Sequence, residues 1–316
     1  MAETHDTPAP TRSPARAAVA VLRVPHWIKN VFVLAPVIFA VRMADPWAWG
    51  QAALAALAFC LASSAAYILN DLRDRDADRH HPRKCTRPIA AGQLALGAAW
   101  MECLVLAVAA LAVAWAVNRG VLALVAAYLV LTAAYSLGLK HRMLLDVMLV
   151  AAGFVLRAAA GAVAIRVVIS PWLVVCTFTI CLFLGFCKRY NEVVTLAGGP
   201  DEGRRHRPTL DGYTPQLLTH LITLSAAIAI VSFLLYATSP MTLERFHTIG
   251  LLVTLPLVIY GVCRMAMLSM RGRYADPVEI MLRDRPFQVA VVLWTALAAA
   301  AVVWGETIEA WLAEAL

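Results

Sequence analysis

The sequence predicts an all-α, polytopic membrane protein with nine spans, and three observations carry that prediction. Of its 316 residues, 61% are hydrophobic and only 15% are charged, with a mean hydropathy of +0.72. A soluble domain carries roughly 45–50% apolar and about 25% charged residues. The apolar residues also run in unbroken blocks of about 18–22, the length a helix needs to cross the hydrocarbon core. Lysine and arginine, finally, gather in alternate connections between those blocks.

Taken in order, residues 1–20, "MAETHDTPAPTRSPARAAVA", are polar and rich in Pro, Thr and Arg. They lack the charged-then-apolar layout of a signal peptide and are expected to form a disordered cytoplasmic arm. Residues 21–316 are expected to form one transmembrane domain. Charge, Pro and Gly bound its spans near 27–42, 51–70, 97–117, 120–138, 144–163, 171–187, 216–237, 247–267 and 287–311. The first is short, and its helix has room to begin near Val19.

No soluble domain of any size fits between the spans, which argues against a glycosyltransferase with a nucleotide-sugar domain. A transporter would place its ionisable groups near the midplane of paired halves, whereas these gather at one face and no internal repeat is evident. On the N-terminal side of the odd-numbered spans lie 22 of the 27 lysines and arginines. This places the N-terminus in the cytoplasm, the C-terminus outside, and the protein in the cell (inner) membrane. The seven cysteines are scattered without a CxxC pair, so neither a disulfide framework nor a structural zinc site is expected.

The most informative stretch is "LNDLRDRDADRHHPRKCTRP", residues 69–88, which follows directly on an apolar run. If helix continues through residue 78, Asp71, Asp74 and Asp78 share a stripe about 60° wide, with Asp76 on the other side. Asn70 precedes them at the boundary of the span. Three like charges on one stripe repel unless something cationic joins them. A surface ion-pair network would do so. The spacing also suits oxygen ligation of Mg²⁺, which takes one or two carboxylates plus phosphate oxygens and water. Arg83, Lys84 and Arg87 follow, with Pro82 and Pro88 placed to stop the helix and fold the basic stretch back over the acids. Metal-binding carboxylates beside such cations make a site for a polyanion, most simply a diphosphate.

Two further places stand out. Asp146 and Arg157 are eleven residues apart on one span and share a face. A cation deep in an apolar stretch is costly and usually functional, so Arg157 is expected to meet an acceptor phosphate or an acid such as Asp146. Lys29 and Asn30, in "PHWIKN", could meet a donor or lipid phosphate, or Trp27 and Lys29 could simply mark membrane depth.

These residues resemble the UbiA superfamily of intramembrane prenyltransferases. "NDLRDRDAD" fits that family's first acid motif, N-D-x-x-D-x-x-x-D, and "YSLGLK" (Tyr135 to Lys140) resembles its Tyr-Ser-x-x-Leu-Lys run. The family's second acid motif, D-x-x-x-D after the sixth helix, is replaced by "CKRYNEVVTLAGG", with Glu192 beside Lys188 and Arg189. Together with "PHWIKN" and "RYADPVEIMLRDRPFQ", this resembles the decaprenyl-phosphate phosphoribosyltransferase branch.

The resemblance implies nine helices around a cytoplasm-facing active-site cavity, Mg²⁺ as cofactor, and 5-phosphoribosyl 1-diphosphate as donor. The acceptor would be a polyprenyl (decaprenyl) phosphate, and the product a step toward arabinose donors for cell-wall polysaccharide. Asp71, Asp74 and Asp78 would be catalytic and, with Asn70, hold the metal. Arg83, Lys84 and Arg87 would hold the diphosphate, while Lys188 and Arg189, with Tyr190 beside them, would take the 5-phosphate. Tyr135 and Lys140 would touch substrate, and Glu192 would bind metal or orient the ribose hydroxyls. The 272–288 loop would cap the cleft. The resemblance admits a homo-oligomer such as a trimer and calls for no nucleic acid. The rival reading is a UbiA-type prenyltransferase acting on an aromatic acceptor for quinone or haem biosynthesis.

Overall fold

The computed structural model describes residues 13–80, 84–196, 212–272, 274 and 276–315. Among these, nine helical segments are long and apolar enough to cross a membrane, and none of the residues is in a strand. They start at Pro14, Pro46, Leu96, Arg119, Leu145, Pro171, Pro215, Gly250 and Arg285. These are the nine spans expected, with ends moved by a few residues except at the first.

That first span is where local structure departs most from expectation. It comprises α1 (Pro14–Val21), a 3₁₀ run (Val24–Val33) and α2 (Ala35–Phe39). The chain expected to be disordered through residue 20 is helical from Pro14, with Ala17 and Val21 buried beside Ile68 and Ile89. Residues 1–12 lie outside the described residues. The break falls at Arg23, whose φ of 51° is left-handed, two residues before Pro25.

The second span, α3 (Pro46–Arg73), starts at an Asp45 cap whose carboxylate accepts from the Trp47 and Ala48 amides at 2.9 and 3.3 Å. Its buried face is mostly small: Ala52, Ala55, Ala58, Ala62, Ser63 and Ser64. Small residues let membrane helices approach closely, and α3 packs against α5 (Leu96–Val117), α6 (Arg119–Leu137) and the 3₁₀ run. The helix does not continue unbroken through residue 78. It pauses at Asp74 (φ −92°, ψ 3°) and resumes as α4 (Arg75–Arg79). The Asp78 amide still donates to the Asp74 carbonyl at 2.7 Å, and Asp74 and Asp78 stay on one wall.

The fifth span, α7 (Leu145–Ala164), joins two apolar cores. Its Ala160 and Ala164 pack with Phe59, Val125 and Tyr128, while Val147 packs with Phe183, Leu218 and Met265. The second core draws on α8 (Pro171–Leu196), α9 (Pro215–Thr238), α12 (Leu255–Met270) and α13 (Pro277–Arg283). The short α10 (Pro240–Phe246) and α11 (Gly250–Val253) lie between, and α14 (Arg285–Ala315) ends the described chain. One glycine sets the seat of α7: a Cβ at Gly161 would lie 1.9 Å from the Val33 carbonyl oxygen. The helix therefore rests on the 3₁₀ run backbone to backbone. One turn before that contact stands Arg157.

Candidate active site

A cavity of about 1260 Å³ opens between α3–α4, α6, α7 and α8. Its acid wall is the end of α3 with α4. Asp74, Asp78 and Asn70 line the cavity there. The Lys140 ammonium pairs with Asp74 and donates to the Asn70 Oδ1 at 3.2 Å, and Asn70 in turn donates to Asp74 at 3.0 Å. Arg87 bridges two acids, 2.6 Å from Asp78 and 3.0 Å from Asp71, while Lys84 stands 3.9 Å from Asp78. The turn after α4 thus folds the basic stretch over the acids. Arg23 closes the group with two 2.7 Å hydrogen bonds to Asp71. Burial raises the Asp78 pKa above the usual carboxylate value, against the opposing pull of Arg87 and Lys84.

The wall formed by α8 is built the other way round. Arg189 is buried between two carboxylates, 3.4 Å from Asp146 and paired with Glu192 one turn on. Asp146, 0% exposed, also accepts from the Tyr213 hydroxyl at 2.9 Å. That hydroxyl accepts the Leu144 amide at 2.8 Å, and burial raises its pKa. Lys188 reaches the cavity and stands 3.5 Å from Asp276 in the loop before α13.

Residues 31–283 match the UbiA prenyltransferase family. The chain belongs to that family. It is 34% identical over 310 residues to the decaprenyl-phosphate phosphoribosyltransferase of Mycolicibacterium smegmatis, covering 95% of this chain and 96% of that one. The protein of the same name from Corynebacterium glutamicum is 32% identical over 292 residues, 90% of this chain and 86% of that one. A UbiA homolog from Archaeoglobus fulgidus, solved bound to DMAPP and Mg²⁺, has the same fold. Its TM-score is 0.69 over 90% of this chain and 99% of that one, at 19% identity.

Within this UbiA fold, the structure brings together Asn70, Asp74, Asp78, Lys84, Arg87, Tyr135, Lys140, Lys188, Arg189 and Glu192 around the cavity. Four expectations need correction. Asp146 and Arg157 share a helix but not a bond, since Asp146 takes Arg189 and Tyr213 while Arg157 takes Asn30 and Tyr128. Asn30 is buried as that partner and does not face the cavity. Asp71 is turned to Arg23 and Arg87, behind the acid wall. Tyr190 packs into the apolar core around Phe183 and Leu218 and forms none of the cavity lining. Arg83 lies outside the described residues.

Among the described residues of the 272–288 loop expected to cap the cleft, Asp276 meets Lys188 of the cavity wall at 3.5 Å, and Arg264 holds Asp284 with a 2.9 Å bond from its Nη2. Arg23, Tyr128 and Tyr213 went unnoticed in the sequence. Arg23 entered only as one of the counted cations, and the two tyrosines carried no local signal.

Among the described residues, no three His, Cys, Asp or Glu side chains converge as a ready metal cage. The donor set still fits Mg²⁺ arriving with phosphates. Asp74, Asp78 and Asn70 supply oxygens on one cavity wall, and that ion needs only one or two protein carboxylates when phosphates and water fill its octahedron. Glu192 lines the cavity on the α8 side, apart from these donors and paired with Arg189.

Proposed function

We propose that the chain moves the 5-phosphoribosyl group from 5-phosphoribosyl 1-diphosphate to a polyprenyl phosphate, releasing diphosphate. The observation carrying this reading is the contrast between the walls: carboxylates with matching cations on α3–α4, and a cation held by carboxylates on α8. A prenyl-diphosphate enzyme of the UbiA type would carry a second acid pair on α8, and Glu192 is the one acid in "CKRYNEVVTLAGG". The names and near-complete overlap of the mycobacterial and corynebacterial relatives support the same substrates.

In the reaction the C1–O bond to diphosphate breaks and its electron pair leaves with the diphosphate. A phosphate oxygen of the acceptor forms the new bond to C1. That oxygen is already ionised at neutral pH, so the site needs no general base, and its work is to stabilise charge on the leaving group. Asp74 and Asp78, with Asn70, would hold Mg²⁺, which when bound neutralises diphosphate charge. Arg87, Lys84 and Lys140 now sit on those carboxylates. On substrate entry they exchange partners and take phosphate oxygens. Tyr135 lies beside them on the cavity wall and completes the donor site.

The concentration of lysine and arginine at this end supports a site facing the cytoplasm, in the inner membrane. Membranes carrying the protein, given labelled 5-phosphoribosyl 1-diphosphate and polyprenyl phosphate, should yield a labelled phosphoribosyl lipid that EDTA prevents. A labelled product that forms only with a prenyl diphosphate and an aromatic acceptor would defeat the reading.

A further inference from the structure

Arg157 and Lys29 both line the cavity. Arg157 is 6% exposed, three turns along α7 from Asp146 and about 16 Å further along its axis. Its guanidinium is held entirely by neutral groups: Nε donates to Asn30 Oδ1 at 2.7 Å, Nη1 to the Gly153 carbonyl at 3.0 Å, and Nη2 to the Tyr128 hydroxyl at 2.7 Å. The rings of Tyr128 and Phe154 lie 4.6 and 5.1 Å from its central carbon. No carboxylate lies within ion-pair distance of Arg157 or Lys29 among the described residues.

This differs from the other buried or half-buried cations of the cavity, the exposed Arg73 set aside. Arg23, Lys84, Arg87, Lys140, Lys188 and Arg189 each stand against an acid. A buried, unpaired charge in a membrane is costly unless an anion or strong dipoles offset it. Neutral acceptors and aromatic faces offset part of that. Each Nη keeps a second N–H, and Lys29 enters the same space from the residue next to Asn30.

We infer that Arg157 and Lys29 form a second anion subsite, separate from the diphosphate wall, that binds a phosphate monoester. The inference rests on the phosphoribosyl-transfer reading, whose substrates carry two such groups: the 5-phosphate of the donor and the phosphate of the lipid. Asn30, Tyr128 and Gly153 hold the guanidinium in place, so that a planar fork rather than a point charge meets the phosphate.

The test measures binding, not turnover, on purified protein in nanodiscs. The probes are 5-phosphoribosyl 1-diphosphate and its analogue without the 5-phosphate, and a short polyprenyl phosphate and the matching alcohol. Wild type should prefer the phosphorylated member of one pair. Arg157→Lys and Lys29→Gln should each weaken that ligand by about tenfold or more and erase the preference, with the other pair unaffected. Loss confined to the lipid pair assigns the site to the acceptor, and loss confined to the donor pair assigns it to the 5-phosphate. Either result supports the subsite. Arg157 could also matter for folding. Lys29, which makes no bond to the protein among the described residues, provides the variant free of that effect. Unchanged preference in Lys29→Gln and in a folded Arg157→Lys overturns the subsite while leaving the function standing. Wild type that binds neither donor nor lipid phosphate overturns both.

Discussion

The end of α3–α4 and the end of α8 face each other across one cavity, and they solve opposite electrostatic problems. On α3–α4 the acids are central and the cations come from elsewhere: Arg23 from before the 3₁₀ run, Arg87 and Lys84 from the following turn, Lys140 from beyond α6. On α8 the cation is central, and Asp146 and Glu192 enclose Arg189. A cluster of the first kind can trade partners with an incoming metal and polyanion, because both signs are present and several members reach the cavity. A buried pair of the second kind has little to trade, and its members serve to fix α7 against α8.

The sharpest way to break this contrast is to neutralise one acid on each wall. Asp74→Asn and Asp78→Asn should each lower transfer by about 10²–10³-fold or more with the fold intact, a loss on the scale of removing one preorganised electrostatic group. Glu192→Gln should cost much less. Initial rates on matched membranes, with circular dichroism as the fold control, give the comparison. Equal losses at Asp74 and Glu192 would mean that both walls handle the metal and diphosphate.

On the α8 side the large effect should be on stability. Replacing Arg189 by Leu leaves Asp146 buried without its cation, and breaking a buried pair costs about 3–5 kcal/mol. Thermal denaturation in detergent should show a clear drop in Tm for Arg189→Leu and almost none for Lys84→Gln, whose pair with Asp78 is longer and partly exposed. A Tm unchanged in Arg189→Leu would show that the Asp146–Arg189 pair does not fix α7 against α8.

Much of the acid wall was legible in the sequence because it is local. Asn70 to Arg87 lie within one short stretch, and helical spacing with two prolines suffices to bring opposite charges together. The spans were legible for the same reason, since length and apolarity are properties of single segments. What escaped depends on how helices are rotated against each other. The shared face of Asp146 and Arg157 was real, but spacing cannot say which neighbours meet that face. Asn30 and Tyr128 come to Arg157 from two other elements, and Tyr213 comes to Asp146 from the start of α9. Arg23 read as one more topogenic charge, because its partner Asp71 is 48 residues away.

The seat of α7, which joins the two apolar cores, offers a milder test. Gly161→Ala would press a methyl group into the Val33 carbonyl, so α7 and the 3₁₀ run must separate. Overpacking of this kind costs about 1–3 kcal/mol. Because Arg157 and Asn30 bridge the same joint, the variant should lose some Tm and also bind substrate less well, whereas Gly97→Ala, where a Cβ meets nothing within 4 Å, should do neither.

The smallest expected effect is on pH dependence, and it concerns Asp78 alone. Burial raises its pKa in the folded protein above the ordinary value of 3.8. Between those two values the folded chain holds a proton that the unfolded chain has lost. Stability contributed by this group is therefore full below 3.8 and falls as pH rises through the raised pKa. On the proposed reading activity runs the other way, because Asp78 would hold the metal as the carboxylate. Transfer should rise with pH over the window in which Asp78 ionises. Parallel Tm and rate profiles in mildly acidic buffer, on wild type and on Asp78→Asn, separate the two: the variant should flatten the stability slope in that window. An identical slope in both proteins would assign the acid limb to another group on the cavity wall.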